Sequence, residues 1–555
     1  MKNFLVGIIV LLSTQISNAQ LFPHSGTFTR QDTLRGSITP ERAWWDLLHY
    51  TLDIEVFPAS KTLAGHNTMK YKVINKQTKE LQIDLQAPMK LTRAVQEGEE
   101  LVIRQDGNAH FILLKQTQKE GKTYEITFSF EGAPIVAERP PWDGGLTWVQ
   151  DTNGKPFIAN ANQGIGASVW WPNKDHPSDE PDQGALLKVE VPENLMDVSN
   201  GQLIETIPHP EKQTKTYVWE VKNPINNYGI NINIGDYVHF GEVYQGEKGP
   251  LKMDYYVLKD NLEQAKEQFK DAKRMMEAFE YWFGPYPFYE DGFKLVQAPY
   301  LGMEHQSSVT YGNQFMKGYL GRDLSGTGWG LMFDFIIIHE SGHEWFANNI
   351  TNKDVADMWI HEGFTAYSEN LFLDFHYGKQ AAEDYVIGTR MAINNDRPVI
   401  GTYGVNYEGS GDMYYKGANL LHTLRQIVDD DAQWRSILRG LNEEFYHQTV
   451  SSRQVEEYIS QNAGRDLSLV FDQYLRDVRI PILSYAFRQG QLMYRWENAI
   501  PGFNMPVKVE LGEEVTWLYP STTWKTITDL FGADQLQVDR NFYIGTMELE
   551  AGTPE

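Results

Sequence analysis

Residues 336–345 read Ile336-Ile337-Ile338-His339-Glu340-Ser341-Gly342-His343-Glu344-Trp345. An α-helix turns about once every 3.6 residues, so His339 and His343 project from one face, one turn apart. Two imidazoles so placed can hold a single Zn²⁺, with Glu340 beside the metal and free to act as a base. A satisfied pair of core histidines has the same spacing, so a second half of the motif is needed. Eighteen residues separate His343 from Glu362, in Asp357-Met-Trp-Ile-His-Glu362-Gly363-Phe-Thr. A carboxylate on a following helix is the third ligand of a His₂Glu hydrolytic site, whose fourth position stays open to water. His361 could ligate by chemistry alone, but as the neighbour of Glu362 it should point elsewhere and pack. Glu369 follows Glu362 by two turns. It either hydrogen-bonds a ligand from behind or lies on a solvated face.

Helical spacing also runs through Leu262 to Phe283, Met332 to Asn348, Phe364 to Tyr377, Lys416 to Val428 and Ser452 to Asn462. Gly284-Pro285-Tyr286-Pro287 stops the first of these, and a short strand, Phe293 to Gln297, follows. Before Tyr237 the pattern is mostly of strands. Tyr50 to Phe57 alternates with period two, apolar at Tyr50, Leu52, Ile54 and Val56; Thr123 to Phe130 does the same and Thr216 to Val221 is similar. Strands return after Pro481. A chain of 555 residues is too long for one core. The reading is an α+β multidomain protein. It has an N-terminal antiparallel β-saddle or sandwich over residues 20–240, a central, mostly helical catalytic domain over 241–480, and a small β-domain over 481–555.

Lys2, the apolar run from Phe4 to Leu12 and Ser17-Asn18-Ala19 have the order of a signal peptide, residues 1–19, with cleavage before Gln20. The mature chain is then exported, to a periplasm or outside the cell. There is no Cys, which excludes disulfides and a Cys-linked lipid anchor. No later segment has enough consecutive apolar residues to span a bilayer, so no membrane anchor is expected. A net charge of −25 disfavours nucleic acid and anionic membranes as partners, and otherwise serves solubility.

The His339-Glu340-x-x-His343 motif, the eighteen-residue gap and Trp359-Ile-His-Glu362-Gly363-Phe-Thr resemble the gluzincin pattern of the aminopeptidase-N-type zinc metallopeptidases. These are thermolysin-like enzymes, with leukotriene hydrolase as a relative, and carry Trp-Leu-x-Glu-Gly-Phe-Ala around the third ligand. Their Gly-Ala-Met-Glu-Asn block is similar to Leu301-Gly302-Met303-Glu304-His305, with Gly302 for Ala and His305 for Asn. The resemblance implies that Glu304 binds the substrate α-ammonium and that the edge backbone at Gly302 and Met303 pairs with an extended substrate. The His305 change leaves open which groups orient the substrate there. Met413-Tyr414-Tyr415-Lys416-Gly417 is similar to the family's Tyr-x-Lys-Gly. That implies Tyr414 as the oxyanion donor, with Tyr415 as its competitor. Gln163, nine residues before Pro172, matches a family Gln that contacts the substrate's amino end; a structural loop residue is the alternative. The Pro-Cys-x-Asp-Glu-Pro continuation appears as Pro172-Asn173-Lys174-Asp175-His176-Pro177, with Cys and Glu replaced.

The resemblance spans roughly residues 45 to 550. It implies a β-saddle, a thermolysin-like catalytic domain, a small fibronectin-like β-sandwich, one Zn²⁺ per chain, and peptides with a free N-terminus as substrates. Larger members add a long C-terminal helical domain with no counterpart here, which leaves open what closes the cleft. Two rivals stand beside this reading: a thermolysin-like zinc endopeptidase, and a catalytically inactive peptide-binding relative. Side-chain preference, physiological substrate and oligomeric state are not encoded in any motif.

Overall fold

The alternation at Tyr50, Leu52, Ile54 and Val56 becomes the strand Trp45–Phe57, whose four inward side chains are buried. In the computed structural model, residues 27–549 are described, apart from 77, 529 and 531–532. The segment read as a signal peptide therefore lies outside the described residues. Trp45–Phe57 sits within an eight-stranded sheet, flanked by Thr62–Val73 and Ala185–Pro192. The sheet departs from the antiparallel expectation at one place: Trp45–Phe57 and Ala185–Pro192 run parallel. These strands are distant in the chain, so no hairpin forces them antiparallel.

A four-stranded antiparallel sheet holds Met196–Ser199, Ile232–Gly235, Pro156–Ala161 and Gly145–Gln150. It shares one hydrophobic core with the larger sheet, which includes Trp44, Trp45, Trp170, Trp171 and Trp219. The chain leaves Pro156–Ala161 directly into Asn162-Gln163, so the sheet aims that loop.

A five-stranded mixed sheet follows: Tyr237–Gly246, Gly249–Leu258, Phe293–Gln297, Val309–Tyr311 and, at its edge, Gly302–Met303. Edge strands keep one row of backbone groups unpaired, available to an added strand. The run from Leu262 to Phe283 is two helices, Leu262–Gln268 and Lys270–Phe283, meeting at Phe269. The remaining helices pack on this sheet in a second, larger core. After Pro481, sheets of four and three strands form, and Leu483, Trp496 and Phe542 join that same core.

The helix of the His motif is shorter than its periodicity predicts. It spans Phe335–Gly342, capped by the Asp334 carboxylate, which accepts from the backbone N–H groups of Ile336 and Ile337. His343 keeps helical angles, but the backbone then breaks at Phe346 (φ −127°, ψ 83°) and Ala347 (φ 154°, ψ −48°). The break has a use. It frees carbonyls that a continuing helix would have consumed, and both find side-chain donors. Phe346 O lies 3.1 Å from His343 Nδ1, and Ala347 O accepts from Thr351 Oγ1 at 2.6 Å. Among the described residues no helix is long and apolar enough to cross a membrane.

Candidate active site

Two glycines set the distance between the next two helices, Trp359–Tyr377 and Tyr415–Val428. A Cβ on Gly417 would lie 2.8 Å from the Gly363 Cα, closer than carbon atoms approach. Only hydrogen fits at this crossing. The close approach brings Glu362, in the first turn of one helix, near Tyr414, just before the other.

His339, His343 and Glu362 converge. Glu362 Oε2 lies 3.6 Å from His339 Nε2 and 3.4 Å from His343 Nε2. All three side chains are buried, and Glu362 Oε2 has no hydrogen-bond partner. A buried carboxylate oxygen facing two imidazole nitrogens is costly unless a cation completes it. Burial would push the Glu362 pKa up, but His343 and His339 hold it well below the usual carboxylate range, so it is ionised as a ligand must be.

Each ligand is oriented from behind. His339 Nδ1 is 2.8 Å from Glu369 Oε1, and Glu369 Oε2 accepts from the Tyr385 hydroxyl at 2.5 Å. Glu369 is fully buried and so does not lie on a solvated face. His343 Nδ1 faces Phe346 O and, at 3.1 Å, Thr365 Oγ1. Both imidazoles thereby present Nε2 to the metal position. Glu362 Oε1 accepts from Gln163 Nε2 at 2.8 Å. Two imidazoles and one carboxylate are a donor set that suits Zn²⁺, and zinc is the cofactor.

His361 is not among the ligands. Its Nε2 accepts from the Asn352 backbone N–H at 2.8 Å, which leaves the proton on Nδ1, 3.4 Å from the Tyr228 hydroxyl. It therefore does more than pack: it ties the ligand helix to the N-terminal β-region.

Glu340 is buried, with no hydrogen bond to its carboxylate among the described residues. Burial pushes it up to about 7; His339 opposes this and Glu304 adds to it. A carboxylate poised there can take and return a proton. Gly302 lies against it. A Cβ at Gly302 would sit 2.6 Å from Ile336 Cγ2 and 3.0 Å from Glu340 Oε1, which is a physical reason for glycine at this position.

Glu304 follows the edge strand and is 2% exposed. Gln163 Nε2 donates to its Oε1 at 2.8 Å, so one amide bridges Glu304 and Glu362. The Glu304 backbone carbonyl accepts from Asn348 Nδ2 at 2.9 Å. Met303 is buried in a small cluster with Ala159, Ala161, Ala298 and Tyr300. His305 is fully buried, and neither ring nitrogen has a partner. Burial pushes it down to about 3, so it is neutral.

Tyr414 stacks on His339, with ring centroids 6.0 Å apart. Burial raises its pKa well above the phenol value, and the nearby Glu362 and Glu304 raise it further, so its proton stays on. Tyr415 is also raised by burial, but the carboxylate it feels is Glu369, on the far side of His339. Tyr228 and Glu408 also belong to this neighbourhood. No motif marks either; Tyr228 follows a run of Asn on a loop, and Glu408 lies in a Gly-rich stretch.

Residues 267–474 match the Peptidase family M1 domain. Aminopeptidase B of Mus musculus is 22% identical over 458 residues, covering 75% of this chain and 65% of that protein. Leukotriene A-4 hydrolase of Xenopus laevis is 23% identical over 424 residues, covering 66% of this chain and 65% of that protein. The chain spans about half to two thirds of the length of the aminopeptidase B relatives it matches. The M1 zinc metallopeptidase of Deinococcus radiodurans superposes with a TM-score of 0.65 at 19% identity, covering 79% of this chain and 95% of that one. With the His₂Glu site, the domain match over residues 267–474 and the shared architecture together, the chain is similar to the aminopeptidase-N-type zinc metallopeptidases of Peptidase family M1.

Proposed function

We propose that this protein is an aminopeptidase that hydrolyses the first peptide bond of substrates with a free N-terminus. The observation that carries this is Glu304: a buried carboxylate, held by Gln163, beside the metal ligands and at the end of an open edge strand. An internal peptide bond brings no charge to match it, whereas an α-ammonium does. Aminopeptidase B supports the reading as a relative, and a mutant of the Deinococcus radiodurans metallopeptidase holds a Tyr-Ser-Ala substrate.

Zinc, when bound, polarises the scissile carbonyl and acidifies a water. Glu304 receives the substrate ammonium. Gln163, with both amide protons committed to Glu304 and Glu362, offers its carbonyl oxygen to that ammonium as well. The Gly302–Met303 edge pairs with the extended peptide and fixes the register of the first bond. Glu340 takes the proton of the attacking water and delivers it to the leaving amine. Tyr414 donates its retained proton to the oxygen on which negative charge develops.

The deciding experiment compares one peptide with a free and with an acetylated N-terminus. The free peptide should be cleaved at its first bond and the acetylated one poorly. Equal cleavage of both would replace this reading with an endopeptidase; binding without any cleavage would replace it with an inactive peptide-binding relative. The same proposal places the mature protein outside the cytosol, on the strength of residues 2–19. N-terminal sequencing of the native protein should begin at Gln20.

A further inference from the structure

Ahead of the first strand stands a short helix, Arg30–Gly36. Thr29 and Asp32 close its first turn, each side chain accepting from the other's backbone N–H. Arg42, fully buried, holds its other end: Nη1 donates to Leu34 O, Arg35 O and Ser37 O at 2.9 Å each. Arg42 also pairs with the buried Asp84, and Arg30 reaches Asp106 at 2.8 Å. Both ends of the helix are thereby fixed to the N-terminal β-region.

From this mount the segment faces two loops of the site. Gly36 lies against the loop that leads to Tyr414, where a Cβ would fall 1.9 Å from Asn406 N. Phe28 meets Tyr407 of that loop edge-on, with ring centroids 5.5 Å apart. Arg35 faces the loop that carries Gln163. Its Nη2 donates to Gly164 O at 3.0 Å and lies 3.7 Å from Asp175 Oδ2, which accepts from the Ser168 N–H and hydroxyl. Asn406 Nδ2 donates to the same Gly164 O at 3.4 Å. Three segments thus meet at one carbonyl, next in the chain to the amide that bridges Glu304 and Glu362. A Cβ at Gly166 would sit 2.1 Å from Arg35 Nη2 and 2.2 Å from Asp175 Oδ2, so glycine there is what admits the guanidinium.

The contact is a strut, not a packed interface. A cavity of about 280 Å³ opens between the helix and the two loops, lined among others by Gln31, Arg35, Gly164, Ile165, Asn406 and Tyr407. A loop beside a cavity is placed by its hydrogen bonds, not by apolar packing. Gln86 holds Ile165 O at 2.7 Å, and Arg35 is the charged donor to the carbonyl nearest Gln163. We infer that Arg35 is a positioning residue for the amine end. Acting through Gly164, it holds Gln163 where one amide spans Glu304 and Glu362, and it ties that loop to the one leading into Tyr414. Arg35 itself touches no substrate. The inference rests on the aminopeptidase reading and adds to it a support that lies outside the cleft.

The test uses the zinc-loaded full chain and one free-amine anilide, on the wild type, Arg35→Ala, Arg35→Lys, Gln163→Ala and the Arg35→Ala/Gln163→Ala double variant. Arg35→Ala should raise KM by about threefold to tenfold, the worth of one misplaced hydrogen bond, with kcat within about twofold and zinc at one per chain. Arg35→Lys keeps a donor but lacks the fork that serves Gly164 O and Asp175 together, so it should recover part of the loss. Because Arg35 acts through Gln163, the double variant should have the KM of Gln163→Ala alone. A merely structural role would lower the melting temperature and leave KM in place. An unchanged KM in Arg35→Ala, or effects of the two substitutions that multiply, would overturn the inference while leaving the aminopeptidase intact. Should Arg35→Ala fail to fold, Arg35→Lys carries the same test: a rise in KM that vanishes in the Gln163→Ala background supports the role, and no rise overturns it. No turnover of any free-amine anilide by the wild type would sink the aminopeptidase reading, and the role of Arg35 with it.

Discussion

The metal end and the amine end of the cleft are held by different kinds of contact. At the metal end, two helices of the central region present three ligands, and neighbours within that region aim the two imidazoles: Glu369 behind His339, Phe346 O behind His343. At the amine end, Gln163 arrives from the N-terminal β-region. It reaches Glu304 across 141 residues of chain and Glu362 across 199. Tyr228, also from that region, approaches His361. The two imidazoles are aimed from within the central region, whereas Glu362 shares its partner Gln163 with Glu304. On the proposed aminopeptidase function, end-selectivity draws on the β-region docked against the central region. Chemistry and end-selectivity should therefore be separable by substitution.

The largest effect belongs to the metal end. Removing zinc with a chelator should abolish turnover of a free-amine anilide, and restoring one equivalent per chain should recover it. His343→Ala should lose the metal, because the two remaining donors leave a weak site. A fully active chain holding much less than one zinc would refute the ligand set. Next comes Tyr414→Phe, which removes one donor to the developing oxyanion. It should lower kcat by about 10²–10³-fold with little change in KM. Tyr415→Phe should cost far less, because Tyr415 is set toward Glu369. The reverse ranking would move the oxyanion donor by one residue.

Glu304→Gln probes the amine end alone. It keeps the shape and the contact with Gln163 while removing the charge, so kcat/KM for free-amine peptides should fall by about 10- to 150-fold. Zinc content should stay at one per chain, and an acetylated peptide should be a poor substrate for both proteins. If the zinc were lost as well, the two ends would not be separable, and Glu304 would be acting on the metal.

The same contrast explains what could be read from the chain beforehand. The His339–His343 pair is a local spacing on one helix, and Glu362 follows on the next, so periodicity finds them. Glu369 could be counted along its helix but not oriented, because its partners His339 and Tyr385 depend on how three helices pack. The end of the motif helix is not legible in the sequence, because the break at Phe346 and Ala347 comes with donors to the freed carbonyls that only the fold supplies. One of these is Thr365, far along the chain. Gln163 and Glu304 carry meaning only through a family resemblance. Tyr228 and Glu408 have no local signature, since their setting exists only once loops from separate regions meet. The parallel pairing of Trp45–Phe57 with Ala185–Pro192 is of the same kind.

The smallest expected effect sharpens the comparison most, because it acts where the two ends touch. Gly302 belongs to the edge strand proposed to pair with substrate, yet its missing side chain makes room for Ile336 and Glu340 on the metal helix. In Gly302→Ala the new methyl would stand 2.6 Å from Ile336 Cγ2 and 3.0 Å from Glu340 Oε1. Ile336 is a branched side chain on a buried helix and yields little, so the edge strand or the helix must shift. Overpacking of this kind costs about 1–3 kcal/mol of stability. The Glu340 carboxylate can rotate away, but doing so displaces the base from the water it must deprotonate. A modest fall in kcat, about threefold to tenfold, should follow from that misplacement. KM should move less, because Glu304 and Gln163 are untouched, and zinc content should hold. The measurements are thermal unfolding and steady-state kinetics on one free-amine anilide. Unchanged melting with an unchanged kcat would mean that the edge and the metal helix have slack between them. The two ends of the cleft would then be more independent than the Gly302 contact makes them.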